Sequence, residues 1–243
     1  MNYYNEINPH AATWLQNLMD AGAIAKGVID VRSIEDVVPN DLAGFTQCHF
    51  FAGIGGWAYA LDLAGWPRDK PVWTGSCPCQ PFSAVGKGAG LDDERHLWPA
   101  WQHLIAQCKP STIFGEQVTG AIRKGWLDGV ISDLEGCGYA CGAAVLQASG
   151  ADAPHKRDRL WFVADTERDK QSWEEPCIWE AGRVGREQQP VSWNRGWQDA
   201  LRAFRAMDDG LQRNVGGTDA ARNAIVPQIA AEFIAAAMAS QWG

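Results

Sequence analysis

In the stretch Trp73-Thr-Gly-Ser-Cys-Pro-Cys-Gln-Pro-Phe-Ser83, two prolines, Pro78 and Pro81, bracket Cys79 and Gln80. Each proline fixes φ and removes a backbone donor, so no helix passes through this stretch and the segment is a stiff loop. The preceding Val72, Trp73 and Thr74 read as a strand that ends where the loop begins. If Val72–Gly75 is a parallel strand of an open α/β sheet, its carboxyl end opens on the crevice where such sheets place their chemistry. The Cys79 thiol is then presented and not buried.

About 20 residues upstream lies Cys48-His-Phe-Phe-Ala-Gly-Ile-Gly-Gly-Trp-Ala-Tyr-Ala-Leu-Asp-Leu-Ala-Gly65. An apolar run breaks at Gly53, Gly55 and Gly56 and resumes with helical period. A strand, a glycine turn and a helix let a nucleotide-type cofactor approach backbone that carries no Cβ. Taken alone, this pattern is weakly specific.

Together, Phe51-Ala-Gly-Ile-Gly-Gly56 and Gly75-Ser-Cys-Pro-Cys-Gln-Pro-Phe-Ser83 resemble the cofactor motif and the Pro-Cys-Gln nucleophile motif of the DNA cytosine-5 methyltransferases. Further pieces follow in that family's order. Phe114-Gly-Glu-Gln-Val118 stands for Glu-Asn-Val, Pro154-His-Lys-Arg-Asp-Arg-Leu160 for Gln-x-Arg-x-Arg, and Arg222-Asn-Ala-Ile-Val-Pro227 for Gly-Asn-Ala-Val-x-Pro. The likeness covers residues 48–165 and again 222–238. It implies an α/β fold of the Rossmann-like class I S-adenosylmethionine-dependent methyltransferases, a mostly parallel sheet with helices on both faces and a small irregular recognition region.

The resemblance assigns Cys79, Glu116, Arg157 and Arg159 to catalysis. It gives Phe51, Gly53, Gly55, Gly56, Pro78 and Asn223 to the cofactor S-adenosyl-L-methionine, and Gln80, Ser83 and Gln117 to the substrate base. Four positions depart from the family pattern: Gln117 replaces Asn, His155 replaces Gln, Arg222 replaces Gly, and His49 stands where an acid is usual.

Between the glycine turn and the nucleophile loop there is room for one helix, whereas the family carries two more strands there, which end in acids for the cofactor ribose and adenine. Asn5-Glu-Ile-Asn-Pro9 and Ile29-Asp-Val31 resemble those pieces, displaced to the amino terminus. Strand, helix, strand is the reading of residues 3–31, with Asn8-Pro9 opening a helix over Ala11–Ala21. The chain thus reads as permuted, with Glu6 and Asp30 facing the cofactor from solvent-exposed strand ends. An unrelated extension with solvated acids is the alternative. Residues 1–165 form the catalytic, cofactor-binding domain, with 1–47 supplying the displaced strands. Residues 166–213 form a reduced target-recognition region, and 214–243 return to the catalytic domain as a final helix. The glycine-rich, charged 84–95 resembles the loop that closes over DNA, and Arg183, Arg186, Arg195, Arg202 and Arg205 are candidate phosphate or guanine contacts.

The 243 residues hold one good core and no full second domain. No apolar run approaches the ~18 residues of a membrane span, and the polar start is no signal peptide, which suggests a cytoplasmic protein in a bacterial host, of a kind phages and prophages carry. Seven cysteines include an odd one, and neither Cys77-x-Cys79 nor Cys137-x3-Cys141 has the spacing of a zinc ribbon or finger, so no metal is expected. A formal charge of −8 requires any DNA-binding face to be local. The expected partner is double-stranded DNA, with a protein partner for target recognition left open. The expected reaction is Cys79 attack at cytosine C6, relief of charge at N3 by Glu116, contacts to the base O2 and a flanking phosphate by Arg157 and Arg159, and a flipped-out base. Methylation of cytosine in tRNA and a catalytically weak DNA-binding relative are the competing readings.

Overall fold

A computed structural model describes residues 1–78, 97–147, 158–166 and 224–239. The elements in chain order are β1 (Asn2–Asn5), α1 (Pro9–Asp20), β2 (Gly27–Asp30), two 3-10 turns (Ile34–Asp36 and Pro39–Leu42), β3 (Gln47–Phe50), α2 (Gly56–Ala64) and β4 (Val72–Gly75). They continue with α3 (Trp98–Cys108), β5 (Thr112–Val118), α4 (Gly120–Arg123), α5 (Trp126–Gly136), β6 (Ala140–Gln147), β7 (Asp158–Asp165) and α6 (Pro227–Ala239). The strands form one seven-stranded sheet among the described residues, in the order β2-β1-β3-β4-β5-β7-β6. The first five run parallel, and β7 is antiparallel to both β5 and β6. The α/β, mostly parallel architecture expected from the sequence is the one observed.

Local chemistry accounts for the elements. The Asn8 side chain accepts from the His10 and Ala11 amides and Pro9 occupies the first turn, so α1 begins where its orphan donors are satisfied. Helix α2 ends at Gly65, whose positive φ of 74° closes it. Strand β5 runs past Phe114 to Val118, because β7 pairs with it along its far edge up to Val118↔Arg159. Its register with β4 stops at Gly75↔Gly115, so Glu116 and Gln117 project past the end of β4 while still held by β7.

Residues in register on parallel strands point to the same face. Tyr4, His49, Thr74 and Phe114 are one such row, and Tyr3, Cys48, Trp73 and Ile113 are the neighbouring row on the opposite face. Helices α1, α2 and α6 cover the first face through Leu15, Leu18, Ala58, Trp57, Leu61, Ile229 and Ile234. The second face is covered by α3, α5 and the 3-10 turns through Trp98, Trp101, Leu104, Val130, Leu134, Ile34 and Leu42.

This placement has a topological consequence. The β1-α1-β2 and β3-α2-β4 crossovers use the same face but step in opposite directions along the sheet, so they have opposite hands. The β4-α3-β5 crossover steps the same way as β3-α2-β4 on the other face, which gives it the hand of β1-α1-β2. Parallel crossovers are right-handed in about 98% of cases, so β3-α2-β4 is the left-handed one. Were α2 followed by β1 instead of β4, that crossover would be right-handed.

Beneath α1 and α2, a polar row crosses β1, β3 and β4. Asn2 Nδ2 donates to Gln47 Oε1 at 3.0 Å and lies 3.4 Å from His49 Nε2, and His49 Nδ1 lies 2.8 Å from Thr74 Oγ1. An amide nitrogen is only a donor, so these partners assign the proton to Nδ1, which donates to Thr74. The His49 ring stacks on Tyr4 at 4.9 Å and is buried, and desolvation pushes its pKa down from 6.5 to about 3. A histidine fits where an acid is usual because the neutral ring is satisfied here without a counter-ion.

Between pH 6.5 and 3 the unfolded chain binds a proton at His49 that the folded chain refuses. Stability is therefore intact above pH 6.5 and falls with decreasing pH, by up to about 1.4 kcal/mol per pH unit from this group. From pH 7.5 to 5.0, His49 should cost about 2 kcal/mol, or about 4–8 °C in melting temperature. His49→Gln should lack this component, and equal pH slopes in calorimetric melts of the two proteins would contradict it.

Candidate active site

The carboxyl ends of β1, β2, β3, β4 and β5 form one continuous edge, and most of the described candidate residues gather there. At β3 the chain turns through Phe51, whose φ of 52° is unusual for a bulky side chain, then Gly53 at 54° and Gly55 at 79° before α2. The three glycines serve different ends. Among the described residues, a Cβ on Gly53 would meet only the Phe51 carbonyl oxygen at 4.0 Å, and its backbone has a conformation that L side chains avoid. A Cβ on Gly56 would stand 2.7 Å from Ile225 Cγ1, so this glycine admits the segment leading into α6. Gly55 caps α2 in the left-handed conformation against Leu15 and Ile24. Among the three, Gly53 leaves the most space beside its backbone, while a side chain on Gly55 or Gly56 would meet Leu15 and Ile24 or Ile225.

Strand β1 brings Glu6 to this turn. Glu6 Oε2 accepts from the Gly53 amide at 2.7 Å and Oε1 accepts from the Asn8 amide at 2.8 Å, while the Glu6 amide donates to the Asp30 carbonyl at 2.9 Å. A carboxylate has about four acceptor sites, so two remain for a ligand. The side chain was expected to face solvent freely. It is half-buried and oriented by two amides.

The expectation that Asp30 faces solvent is corrected. Its side chain is 10% exposed and accepts from Tyr3 Oη at 2.8 Å, from Arg32 Nη2 at 2.6 Å, and from Arg32 Nε and the Arg32 amide at 3.0 Å. Arg32, itself also bonded to Asp41, holds the Asp30 carboxyl down at about 2, below the usual carboxylate range. A carboxylate so fully engaged braces the end of β2 to β1. The sequence reading missed Ile7 and Val31, which follow the two acids and are 64% and 56% exposed. An exposed apolar residue directly after each strand-end acid was the available signal.

At β4, Ser76, Cys77 and Pro78 lead out of the strand. Cys77 is buried in the aromatic core, and desolvation, with Glu116 nearby, pushes its thiol well above the usual range. A thiol held protonated is no nucleophile. Trp57 Nε1 donates to Ser76 Oγ at 3.0 Å, and Gln117 Nε2 lies 3.5 Å from the Cys77 carbonyl oxygen. Cys79, Gln80, Ser83, the loop 84–95, Arg157, Asn223 and the arginines of 166–213 lie outside the described residues.

At β5, Glu116 is 7% exposed, and its Oε1 lies 2.8 Å from Arg159 Nε. Trp161 sits directly opposite Glu116, so Arg159, two residues away on the same face of β7, makes a diagonal cross-strand pair with it. Arg159 was assigned to the base O2 or a phosphate; the structure places its guanidinium on Glu116. Among the described residues no group of three or more His, Cys, Asp or Glu side chains could hold a metal ion, and no helix is long and apolar enough to cross a membrane.

The edge therefore presents a glycine turn with an adjacent oriented carboxylate and two exposed apolar side chains, which fits a nucleoside-type cofactor. Beside it lie the segment entering Cys79 and the buried Glu116 paired with the half-buried Arg159. The Type II methyltransferase M.AplI of Arthrospira platensis is 34% identical over 105 residues, covering 42% of this chain and 30% of that protein. M.NaeI of Lentzea aerocolonigenes is 30% identical over 149 residues, covering 59% of this chain and 36% of that protein. A DNMT2 variant from Spodoptera frugiperda superposes with a TM-score of 0.45 at 18% identity, over 68% of this chain and 42% of that one. The matches to the two Type II relatives span about a third of those proteins' lengths. The profile of C-5 cytosine-specific DNA methylases matches residues 66–194, more than half of the chain. The chain belongs to the C-5 cytosine-specific DNA methylase family.

Proposed function

We propose that this protein transfers a methyl group from S-adenosyl-L-methionine to C5 of cytosine in DNA, with Cys79 as nucleophile and Glu116 as the group that answers at N3. One observation carries the reading. Strands β3, β4 and β5 are consecutive neighbours, so the glycine turn, the segment entering Cys79, and Glu116 leave the sheet side by side at one edge.

Cytosine C5 is a poor nucleophile. Attack of a Cys79 thiolate at C6 makes the ring enamine-like, so that C5 can take a methyl group, and loss of the C5 proton with departure of the thiolate restores the ring. S-adenosylmethionine supplies an electrophilic methyl on sulfonium. Negative charge that develops at N3 meets Glu116, which shares a proton with that nitrogen, while Arg159 fixes the orientation of the Glu116 carboxyl. Arg157, Gln80, Ser83 and Gln117 remain candidates for holding the base and the nucleophile segment. In duplex DNA the base leaves the stack to reach this edge. Residues 1–165 and 214–243 act as the catalytic unit and 166–213 as a reduced recognition region.

Glu6 is the proposed ribose ligand, with Gly53 beneath the cofactor, Ile7 and Val31 against the adenine, and Pro78 and Asn223 completing the site. Asp30 contributes by bracing β2. The left-handed α2 crossover supports the permuted reading: with β1-α1-β2 restored between α2 and β4, all three crossovers would share one hand. Loss of charge-assisted hydrogen bonds in Glu6→Ala should weaken S-adenosylmethionine binding by about 10- to 150-fold in calorimetric titration. Since Glu6 also holds the Gly53 and Asn8 amides, the melting temperature should fall modestly as well. Unchanged affinity would remove Glu6 from the cofactor site. The whole function is tested by incubating the protein with methyl-labelled S-adenosylmethionine and DNA and identifying the labelled base.

A further inference from the structure

We propose that Trp57 is a positioning residue for the nucleophile segment, acting through its hydrogen bond to Ser76; this rests on the assignment of Cys79 as nucleophile. Trp57 follows Gly56 in the first turn of α2, so it is rigidly tied to the glycine turn. Its ring is 3% exposed and fixed on two sides, stacked with Phe114 at 6.4 Å and edge-on to Trp161 at 5.5 Å. Phe114 lies two residues before Glu116 on β5, and Trp161 lies opposite Glu116 on β7. The indole N–H reaches Ser76 Oγ at 3.0 Å, and Ser76 is the first residue past β4, three before Cys79.

An indole is a donor only, so Ser76 must accept. Its side chain is thereby fixed by a ring that cannot swing. One residue on, the Cys77 carbonyl faces the Gln117 amide of β5, and Pro78 then fixes the next φ. The segment entering Cys79 is thus gripped from the cofactor side by Trp57 and from the base side by Gln117. Simple core packing would need the ring of Trp57 and not its N–H, and that difference is the test.

Trp57→Phe keeps an apolar aromatic ring and removes the donor, and Ser76→Ala removes the acceptor from the other side. Each should lower the single-turnover rate of methyl transfer by about ten-fold, the order of one hydrogen bond. The rate of covalent trapping on DNA containing 5-fluorocytosine should fall in parallel. Affinity for S-adenosylmethionine should stay within about two-fold, and the double variant should be no slower than either single one, because both delete the same contact. Full transfer rates in both variants, or losses that multiply in the double variant, would overturn the proposal. A Cys79→Ser control separates the two levels: an active Cys79→Ser protein overturns the nucleophile assignment, whereas an inactive one beside fully active Trp57→Phe and Ser76→Ala proteins overturns only the positioning role.

Discussion

Cys79→Ser is expected to reduce methyl transfer to background, a loss of about 10⁴-fold or more, because a serine hydroxyl at neutral pH has almost none of the anion that a thiol supplies. Affinity for S-adenosylmethionine should stay within a few-fold, since in the proposed reaction the thiol acts on the base and not on the cofactor. The alternative thiol is already weakened as a candidate by its surroundings. Cys77 lies in the core against aromatic side chains, and burial raises its pKa, so it can neither reach a base nor ionise readily. DNA carrying 5-fluorocytosine has fluorine where the departing C5 proton would be, and because fluorine cannot leave as a cation the elimination that frees the thiolate is blocked, which should leave the wild type covalently attached through Cys79. Peptide mapping that places the adduct on Cys77, or full activity in Cys79→Ser, would contradict the assignment.

The second large effect is expected at Glu116. Glu116→Gln preserves shape and part of the hydrogen bonding but cannot share a proton with N3, and the transfer rate should fall by about 10²-fold or more. The change also leaves the Arg159 guanidinium without its carboxylate. Arg159 retains 23% side-chain exposure, so water can partly replace the lost partner and the melting temperature should drop by only a few degrees. Cofactor affinity should hardly move, since Glu116 leaves β5 on the far side of β4 from the glycine turn. Parallel losses in rate and cofactor affinity, measured by single-turnover kinetics and titration, would make Glu116 a structural residue instead.

Much of this edge was legible in the sequence because the signals there are local. Prolines at 78 and 81 and the apolar Val72–Thr74 mark a strand that ends before Cys79. Asn8-Pro9 marks a helix start, and acids after two short apolar runs mark Glu6 and Asp30 as strand-end residues. What was not legible depends on contacts between distant segments. The extra length of β5 comes from β7, over 40 residues later in the chain, and no periodicity in Thr112–Val118 announces it. The capture of Asp30 by Tyr3 and Arg32 turns a carboxylate expected to face solvent into one that braces β2 to β1, although the Asp-x-Arg spacing at 30 and 32 was visible. The approach of Ile225 to Gly56 joins segments far apart in the chain, and the Trp57–Ser76 bond joins two motifs that sequence order keeps 19 residues apart. The hand of the α2 crossover exists only once both helices are known to share a face.

The proposed activity of the aligned edge of β3, β4 and β5 is methylation of C5 of cytosine in DNA. The most direct measurement is mass spectrometry of nucleosides released from duplex DNA, and in parallel from tRNA, after incubation with the protein and methyl-deuterated S-adenosylmethionine. Labelled 5-methyl-2′-deoxycytidine is expected from the DNA, absent with Cys79→Ser, while the tRNA stays unlabelled. Label in tRNA cytosine alone, or cofactor binding with no labelled nucleoside from either substrate, would contradict it.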